Sequence, residues 1–293
     1  MPAPDREKPG AIEGFVFDLD GTLVMSDRHH NGYRALPGAR KVLAELRRRA
    51  LPFAVMTNGS LRTPAEYAVS LRAAGLELEP AQIMTPATVA AGYLSAKGYK
   101  RVLVLGCPGV WKPLAAAGLD VMLPDAGKTD VDAVFIGWHP AFGMRDLEAA
   151  CRAVWAGAPI FSASDAPFFA TRDGPALGIS GAIGAMVASV TGKRPIVLGK
   201  PSQQVLRQAA KLLGIPAKGL CIAGDDPALE VLMARKGGAY AVAVLTGLAK
   251  RDALAALPAT LRPHLVLRNI GELLSSGVLP LQQSPRRVSP ASP

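Results

Sequence analysis

Two carboxylates one residue apart, Asp18 and Asp20, close the run Gly14-Phe15-Val16-Phe17-Asp18-Leu19-Asp20-Gly21-Thr22. Acids this close share a site only with a cation or a common proton between them. The residues before them are apolar or small without a break, the pattern of a strand buried on both faces of a parallel sheet. Open parallel sheets carry their chemistry beyond the carboxyl ends of the strands, which is where these two acids arrive. A strand running into an Asx turn would read the same way, so the rest of the chain has to decide.

Three more segments end a strand or open a helix with groups suited to a phosphate. Met56-Thr57-Asn58-Gly59-Ser60 supplies a hydroxyl, an amide and a glycine that exposes backbone N–H groups. Leu198-Gly199-Lys200-Pro201 presents one ammonium at a helix start, and Gly224-Asp225-Asp226 follows the strand Cys221-Ile222-Ala223, with Glu230 one turn further on. Together they offer a carboxylate nucleophile, a second carboxyl for proton transfer, neutral donors, a cation and an acidic metal site. Phosphoryl transfer needs this positioning and charge neutralisation. Each segment also has a plainer reading. Thr57-Asn58-Gly59 suits a strand-ending turn, Lys200 a surface position, Asp225 and Asp226 a helix cap. Glu230 suits either an outer neighbour of a metal or a solvated acid. His29 and His30 read as a solvated pair, Trp138-His139-Pro140 as a substrate contact, and Trp111 and Trp155 as packing residues.

The elements that must position these groups alternate. A strand at Ile12–Phe17, a helix at Gly38–Arg49, a strand at Phe53–Thr57 and a helix from Pro64 to Ala74 predict a doubly wound parallel α/β sheet. The alternation returns with a helix at Ser202–Leu213, a strand at Gly219–Ala223, a helix at Pro227–Arg235 and a strand at Ala239–Val244. A strand at His264–Leu267 and a helix at Ile270–Ser275 follow. Between the halves lie apolar runs at Val102–Leu105, Ala133–Ile136 and Pro159–Phe161, with helices at Pro86–Ala96, Met144–Ala156 and Gly181–Thr191. That is too much pattern for a loop. The expected division is a core in two parts, 1–80 and 185–279, an inserted α/β domain over 81–184, and a disordered tail over 280–293.

Composition narrows the classes. The 293 residues carry a formal charge of +10, but the basic residues are scattered and aromatics make up only 5%, so nucleic acid is not the expected partner. The one tight cluster, Arg47-Arg48-Arg49, ends a predicted helix, where cations meet the dipole. No apolar run reaches the ~18–20 residues of a membrane span, and Met1–Gly10 lacks the apolar core of an export signal. Cys107, Cys151 and Cys221 form neither an even set nor a metal-type pair, which predicts reduced thiols in a cytoplasmic protein.

With these motifs in order, the chain resembles the haloacid dehalogenase superfamily of aspartate-nucleophile phosphatases over about Ile12 to Ser275. Phe-Asp-Leu-Asp-Gly-Thr resembles its first motif, Thr-Asn-Gly the second, Gly-Lys-Pro the third and Gly-Asp-Asp the fourth. The insert between Gly59 and Lys200 is similar to the large α/β cap of the subclass that holds pyridoxal phosphate, phosphoglycolate and para-nitrophenyl phosphate phosphatases. The resemblance implies a Rossmann-like core under that cap and hydrolysis of a small phosphorylated substrate. Asp18 would be the nucleophile, Asp20 the acid and base, and Thr57, Asn58, Gly59 and Lys200 the phosphate's holders. Mg²⁺ would sit on Asp18, Asp20 and Asp225 with Asp226 nearby, and two copies would pair through the cap. Two departures stand out. The fourth motif often reads Gly-Asp-Arg-Leu-Asp-Thr-Asp, against Gly224-Asp225-Asp226-Pro227-Ala228-Leu229-Glu230 here. The cap's usual Asn-Pro-Asp is replaced in Ser162-Ala163-Ser164-Asp165, which leaves the identity of the ester open. A phosphotransferase or mutase, or a phosphate-ligand-binding protein without catalysis, are the competing readings.

Overall fold

The computed structural model describes residues 11–26, 32–124, 130–171 and 174–280. The chain opens with β1 (Gly14–Asp18), the hairpin strands β2 (Val24–Ser26) and β3 (Tyr33–Ala35), α1 (Ala39–Arg48), β4 (Phe53–Met56), α2 (Pro64–Ala73) and β5 (Ile83–Met84). It continues through α3 (Pro86–Ala96), β6 (Arg101–Leu105), α4 (Pro108–Ala116), β7 (Asp120–Met122), β8 (Ala133–Ile136), α5 (Met144–Trp155) and β9 (Ile160–Ser162). Next come the hairpin β10 (Phe168–Thr171) and β11 (Gly174–Leu177), then α6 (Ile179–Thr191) and β12 (Ile196–Val197). It closes with α7 (Gln203–Leu213), β13 (Leu220–Gly224), α8 (Leu232–Gly237), β14 (Tyr240–Val244), α9 (Arg251–Ala256) and β15 (Leu265–Leu267).

Two parallel sheets result, each covered on both faces. The core sheet runs in the order β15-β14-β13-β1-β4-β5 and the cap sheet β12-β9-β8-β6-β7. In β1 the period of two splits the strand between layers. Phe15 and Phe17 face one side with Leu43 of α1 and Leu71 of α2, while Val16 faces the other with Leu206 of α7 and Ile222 of β13. The cap repeats the arrangement: Val102, Val104 and Phe135 pack with α3 and α4, and Leu103, Leu105 and Val134 with α5 and α6. Parallel strands buried on both faces explain the unbroken apolar runs from which they are legible.

β1 lies between β13 and β4, so the connections leave it in opposite directions and open a crevice at its carboxyl end. Register aligns that end: Asp18 pairs with Met56, and Phe17 with Ala223. Thr57 and Asp225, one or two residues further on, therefore arrive at the level of Asp18.

Several details differ from expectation. β5 falls inside the stretch expected to be cap but joins the core sheet, and β12, beyond the expected cap limit at 184, joins the cap sheet beside β9. Each is two residues long, too short to carry a periodic signal. The expected helix over Pro227–Arg235 begins as one π-helical turn, Pro227–Val231, before α8. Trp155, expected to pack, is 63% exposed at the end of α5, whereas Trp111 packs against the cap's interior. The Arg47-Arg48-Arg49 cluster is engaged locally: Arg48 and Arg49 pair with Glu45, and Arg47 lies over the Phe53 ring. No helix among the described residues is long and apolar enough to cross a membrane, and Cys107, Cys151 and Cys221 are all free thiols.

Candidate active site

Three strand ends and one helix start converge beyond β1. Asp18, Thr57, Lys200 and Asp225 are all buried, although each is ionisable or polar. The Lys200 Nζ donates to Asp18 Oδ1 and, at 2.5 Å, to Glu230 Oε1. Its position is fixed from outside the helix it precedes. The Asn58 side chain brackets the Lys200 main chain, accepting from its N–H at 2.8 Å and donating to its carbonyl at 3.0 Å. Asn58 thus ties the Thr57 loop to the lysine loop, while Thr57 Oγ1 turns back to accept from Gly59 N at 2.9 Å.

Asp225 sits in a slot that only glycine permits. A Cβ on Gly247 would lie 1.8 Å from Asp225 Oδ2, and one on Gly21 2.4 Å from the same atom. Gly21 also has φ +80°, a conformation that side chains oppose. The Leu248 N–H donates to Asp225 Oδ2 at 2.8 Å. Asp226 turns elsewhere: its carboxylate caps the π-helical turn by accepting from Ala228 N at 2.8 Å. Its own N–H donates to Glu230 Oε2 at 3.0 Å. Of the four residues expected around a metal, the structure brings Asp18, Asp20 and Asp225 together and assigns the Asp226 side chain to the start of that turn.

Charge in this crevice is unbalanced. Burial, partly offset by Lys200, pushes Asp18 up to about 7, with Asp225 and Asp20 adding to the rise. Burial and then Glu230 raise Asp225 to about 6. Burial raises Glu230 to about 7 against the pull of Lys200. Burial works against the Lys200 ammonium as well, but Asp18 and Glu230 more than compensate and hold its pKa above the usual lysine range. One ammonium thus serves several acids, and Asp20 Oδ1 is buried without a hydrogen-bond partner.

That surplus fits a divalent cation. Among the described residues no group of three or more His, Cys, Asp or Glu side chains is placed to hold a metal ion by itself. A hard cation that retains several waters needs only one or two carboxylates and a carbonyl oxygen, however. Asp18 and Asp225, beside the loop of Asp20, offer that set. The chemistry within reach is attack by a carboxylate on an anionic centre whose charge Lys200 and a cation offset.

Glu230 is the functional residue that sequence reasoning left undecided. It is neither solvated nor remote: it is buried, holds Lys200 with one oxygen and the Asp226 N–H with the other. A Cβ on Gly224 would fall within 2.2 Å of its Cγ, so the glycine of the fourth motif makes its room. Trp138 meets the core through its backbone, its N–H donating to Ser60 Oγ at 3.1 Å, and His139 pairs with Asp146 at 3.2 Å. His29 and His30 lie outside the described residues, as does the tail from 281.

Comparison with known proteins matches these observations. The family model described as haloacid dehalogenase-like hydrolase matches residues 15–120, and a second, HAD-hydrolase-like, matches residues 197–273. The sugar-phosphatase AraL of Bacillus subtilis (strain 168) is 30% identical over 248 residues, 84% of this chain and 88% of its own. Human chronophin is 30% identical over 285 residues, covering 92% and 94%. The glycerol phosphate phosphatase of Mycobacterium tuberculosis, solved in complex with magnesium, superposes with a TM-score of 0.76 at 27% identity, covering 87% of this chain and 74% of that one.

Proposed function

The chain belongs to the haloacid dehalogenase-like hydrolases, and on that footing we propose that it is a Mg²⁺-dependent phosphatase of small phosphomonoesters working through an aspartyl-phosphate. One observation carries the reading: a buried lysine is bonded to the first of two acids at the end of the central strand, with Asp225 and Glu230 packed around the pair.

An Asp18 carboxylate oxygen attacks phosphorus, and the bond to the ester oxygen breaks as Asp20 gives that oxygen its proton. Asp20 then takes a proton from water, whose oxygen attacks the phosphoryl group, releasing phosphate and restoring the Asp18 carboxylate. Thr57 and the backbone at Asn58 and Gly59 hold the non-bridging oxygens, and Lys200 neutralises Asp18 and the phosphoryl group. Mg²⁺, held by Asp18, the Asp20 carbonyl and Asp225, supplies charge neutralisation in the transition state. The cap covers the leaving group, and its apolar surface suits a second copy: Phe168 and Leu177 pair across the β10–β11 hairpin and are exposed, as are Met186, Val190 and Ile196. Three free thiols suit a reducing, cytoplasmic compartment.

The test is phosphate release from 4-nitrophenyl phosphate, with and without Mg²⁺, by the native protein and Asp18→Asn, extended to a panel of sugar, nucleotide and cofactor phosphates. Metal-dependent release that disappears with the substitution supports the proposal. Release that survives it refutes the nucleophile, and silence across the panel from folded protein refutes the hydrolase.

A further inference from the structure

Arg62 is a cation that the reaction above leaves unused. It follows the phosphate loop, on backbone pinned where the cap meets the core. A Cβ on Gly109, at the start of α4, would lie 2.5 Å from the Leu61 carbonyl oxygen, and Cys107 Sγ lies 3.4 Å from that same oxygen. The guanidinium carbon stands 6.0 Å from the centroid of the Tyr33 ring.

Three polar atoms in this corner, Arg62 Nη1, Tyr33 Oη and Asp20 Oδ1, are buried without a well-formed hydrogen bond, although Arg62 and Tyr67 stand close enough to the phenol to pull its pKa down. Tyr67 completes the wall, its hydroxyl oxygen lying 2.3 Å from where a Cβ on Gly59 would stand. Glu66 meets Arg62 through charge alone among the described residues: its Oε2 accepts from Thr63 N at 2.7 Å and from Thr63 Oγ1 at 2.9 Å to cap α2, and after those bonds the nearby Lys112 and Arg62 charges help to hold its pKa low. Burial and then the charge of Asp20 push the Tyr33 phenol up, against the pull of Arg62 and Tyr67, so that it remains a protonated donor. Buried donors without acceptors are rare in folded proteins. A planar guanidinium beside a phenol is a fork that matches an oxyanion. Asp20 marks which end of the substrate this is: the residue that protonates the ester oxygen stands beside the leaving group.

We propose that Arg62, assisted by Tyr33, recognises an oxyanion on the leaving group, so that the preferred substrates are phosphomonoesters that also carry a carboxylate or a second phosphate. The proposal rests on the phosphatase reading for its reaction, but the recognition is measurable without turnover.

The experiment compares matched pairs of esters: 3-phosphoglycerate against glycerol 3-phosphate for a carboxylate, and glucose 1,6-bisphosphate against glucose 1-phosphate for a second phosphate. The native protein favours the doubly anionic member of at least one pair by about tenfold or more in kcat/KM, expressed in KM. Arg62→Gln collapses that ratio, Arg62→Lys recovers part of it, and Tyr33→Phe lowers it without touching the cation. A ratio near one in both pairs, or a ratio that Arg62→Gln leaves standing, overturns the proposal. Should no ester turn over, the hydrolase reading fails and recognition is read by titration calorimetry with phosphonoacetate and ethylphosphonate in Mg²⁺. Tighter binding of phosphonoacetate that Arg62→Gln removes supports the oxyanion site, and equal binding of the two refutes it.

Discussion

Removing the Lys200 ammonium should destabilise the protein in a way that depends steeply on pH. In Lys200→Met a side chain of similar length fills the space, but Asp18 and Glu230 lose the one cation that is bonded to them among the described residues. Breaking a buried pair in this way costs about 3–5 kcal/mol, which for a domain of this size lowers Tm by roughly 6–10 °C. The acids have an escape, because they can take up protons. With the lysine present they already titrate at about 7, and Lys200 is what lowers them both, so the substitution moves them higher. A buried acid with a raised folded pKa binds more protons folded than unfolded. Stability is therefore greatest below its unfolded pKa of about 4 and falls until the pH exceeds the folded value. In the native protein that fall ends near 7, and in the variant it continues above. The loss in Tm should be largest at pH 8 and less than half as large at pH 5.5, measured by circular dichroism in EDTA. An equal loss at both pH values, or a gain at pH 8, would refute the charge accounting. Phosphate release should fall by about 10²–10³-fold, the cost of removing one electrostatic group from a transition state.

Mg²⁺ should raise Tm more at pH 8 than at pH 5.5, because protons must leave Asp18, at about 7, and Asp225, at about 6, before a cation binds them; a shift that does not change with pH would argue against these ligands. Gly247→Ala would drive a methyl group into Asp225 and should weaken Mg²⁺ binding by about tenfold or more while the protein stays folded, as read by calorimetry. Asn58→Ala removes both bonds that hold the Lys200 backbone. It should lower stability by about 1–3 kcal/mol and kcat more than KM, a split that steady-state kinetics measures.

The core was legible wherever burial imposes a pattern. Phe15–Phe17 and Cys221–Ala223 read as buried strands because both faces are covered, and the acids that follow could be placed at strand ends for the same reason. Short elements were not legible. β5 and β12 are held by their neighbours rather than by any periodicity of their own, and with them went the edges of the cap. At the site, residue types identified Asp18, Asp225 and Lys200 as candidates but could not say what each side chain touches. Asp226 read as either a metal acid or a helix cap and caps a helical turn, while Glu230 read as either an outer neighbour of a metal or a solvated acid and grips the lysine. Both residues belong to the π-helical turn at Pro227–Val231: Asp226 caps it, and Glu230 within it packs over Gly224. Arg62 carried no motif. Its interest comes from three buried atoms without a well-formed hydrogen bond that meet only in three dimensions.

The cap is joined to the core at two places that are not alike. On the way in, Met84 ends the core strand β5, and a buried threonine, Thr85, caps α3, a junction made of ordinary helix chemistry. On the way out, β12 ends at Val197 in the cap sheet, Leu198 N still donates to Ser162 O at 2.9 Å, and Lys200 follows at once. A Cβ on Gly199 would lie 2.0 Å from the Ala163 carbonyl oxygen, so the cap rests directly against this link. The cap is therefore not a freely exchangeable module. A chimera could be spliced at Thr85 with little regard for catalysis, but a splice at the other end inherits or loses the setting of the lysine. Descent with a new cap would have to preserve that one joint, and substrate range could diversify only on its far side.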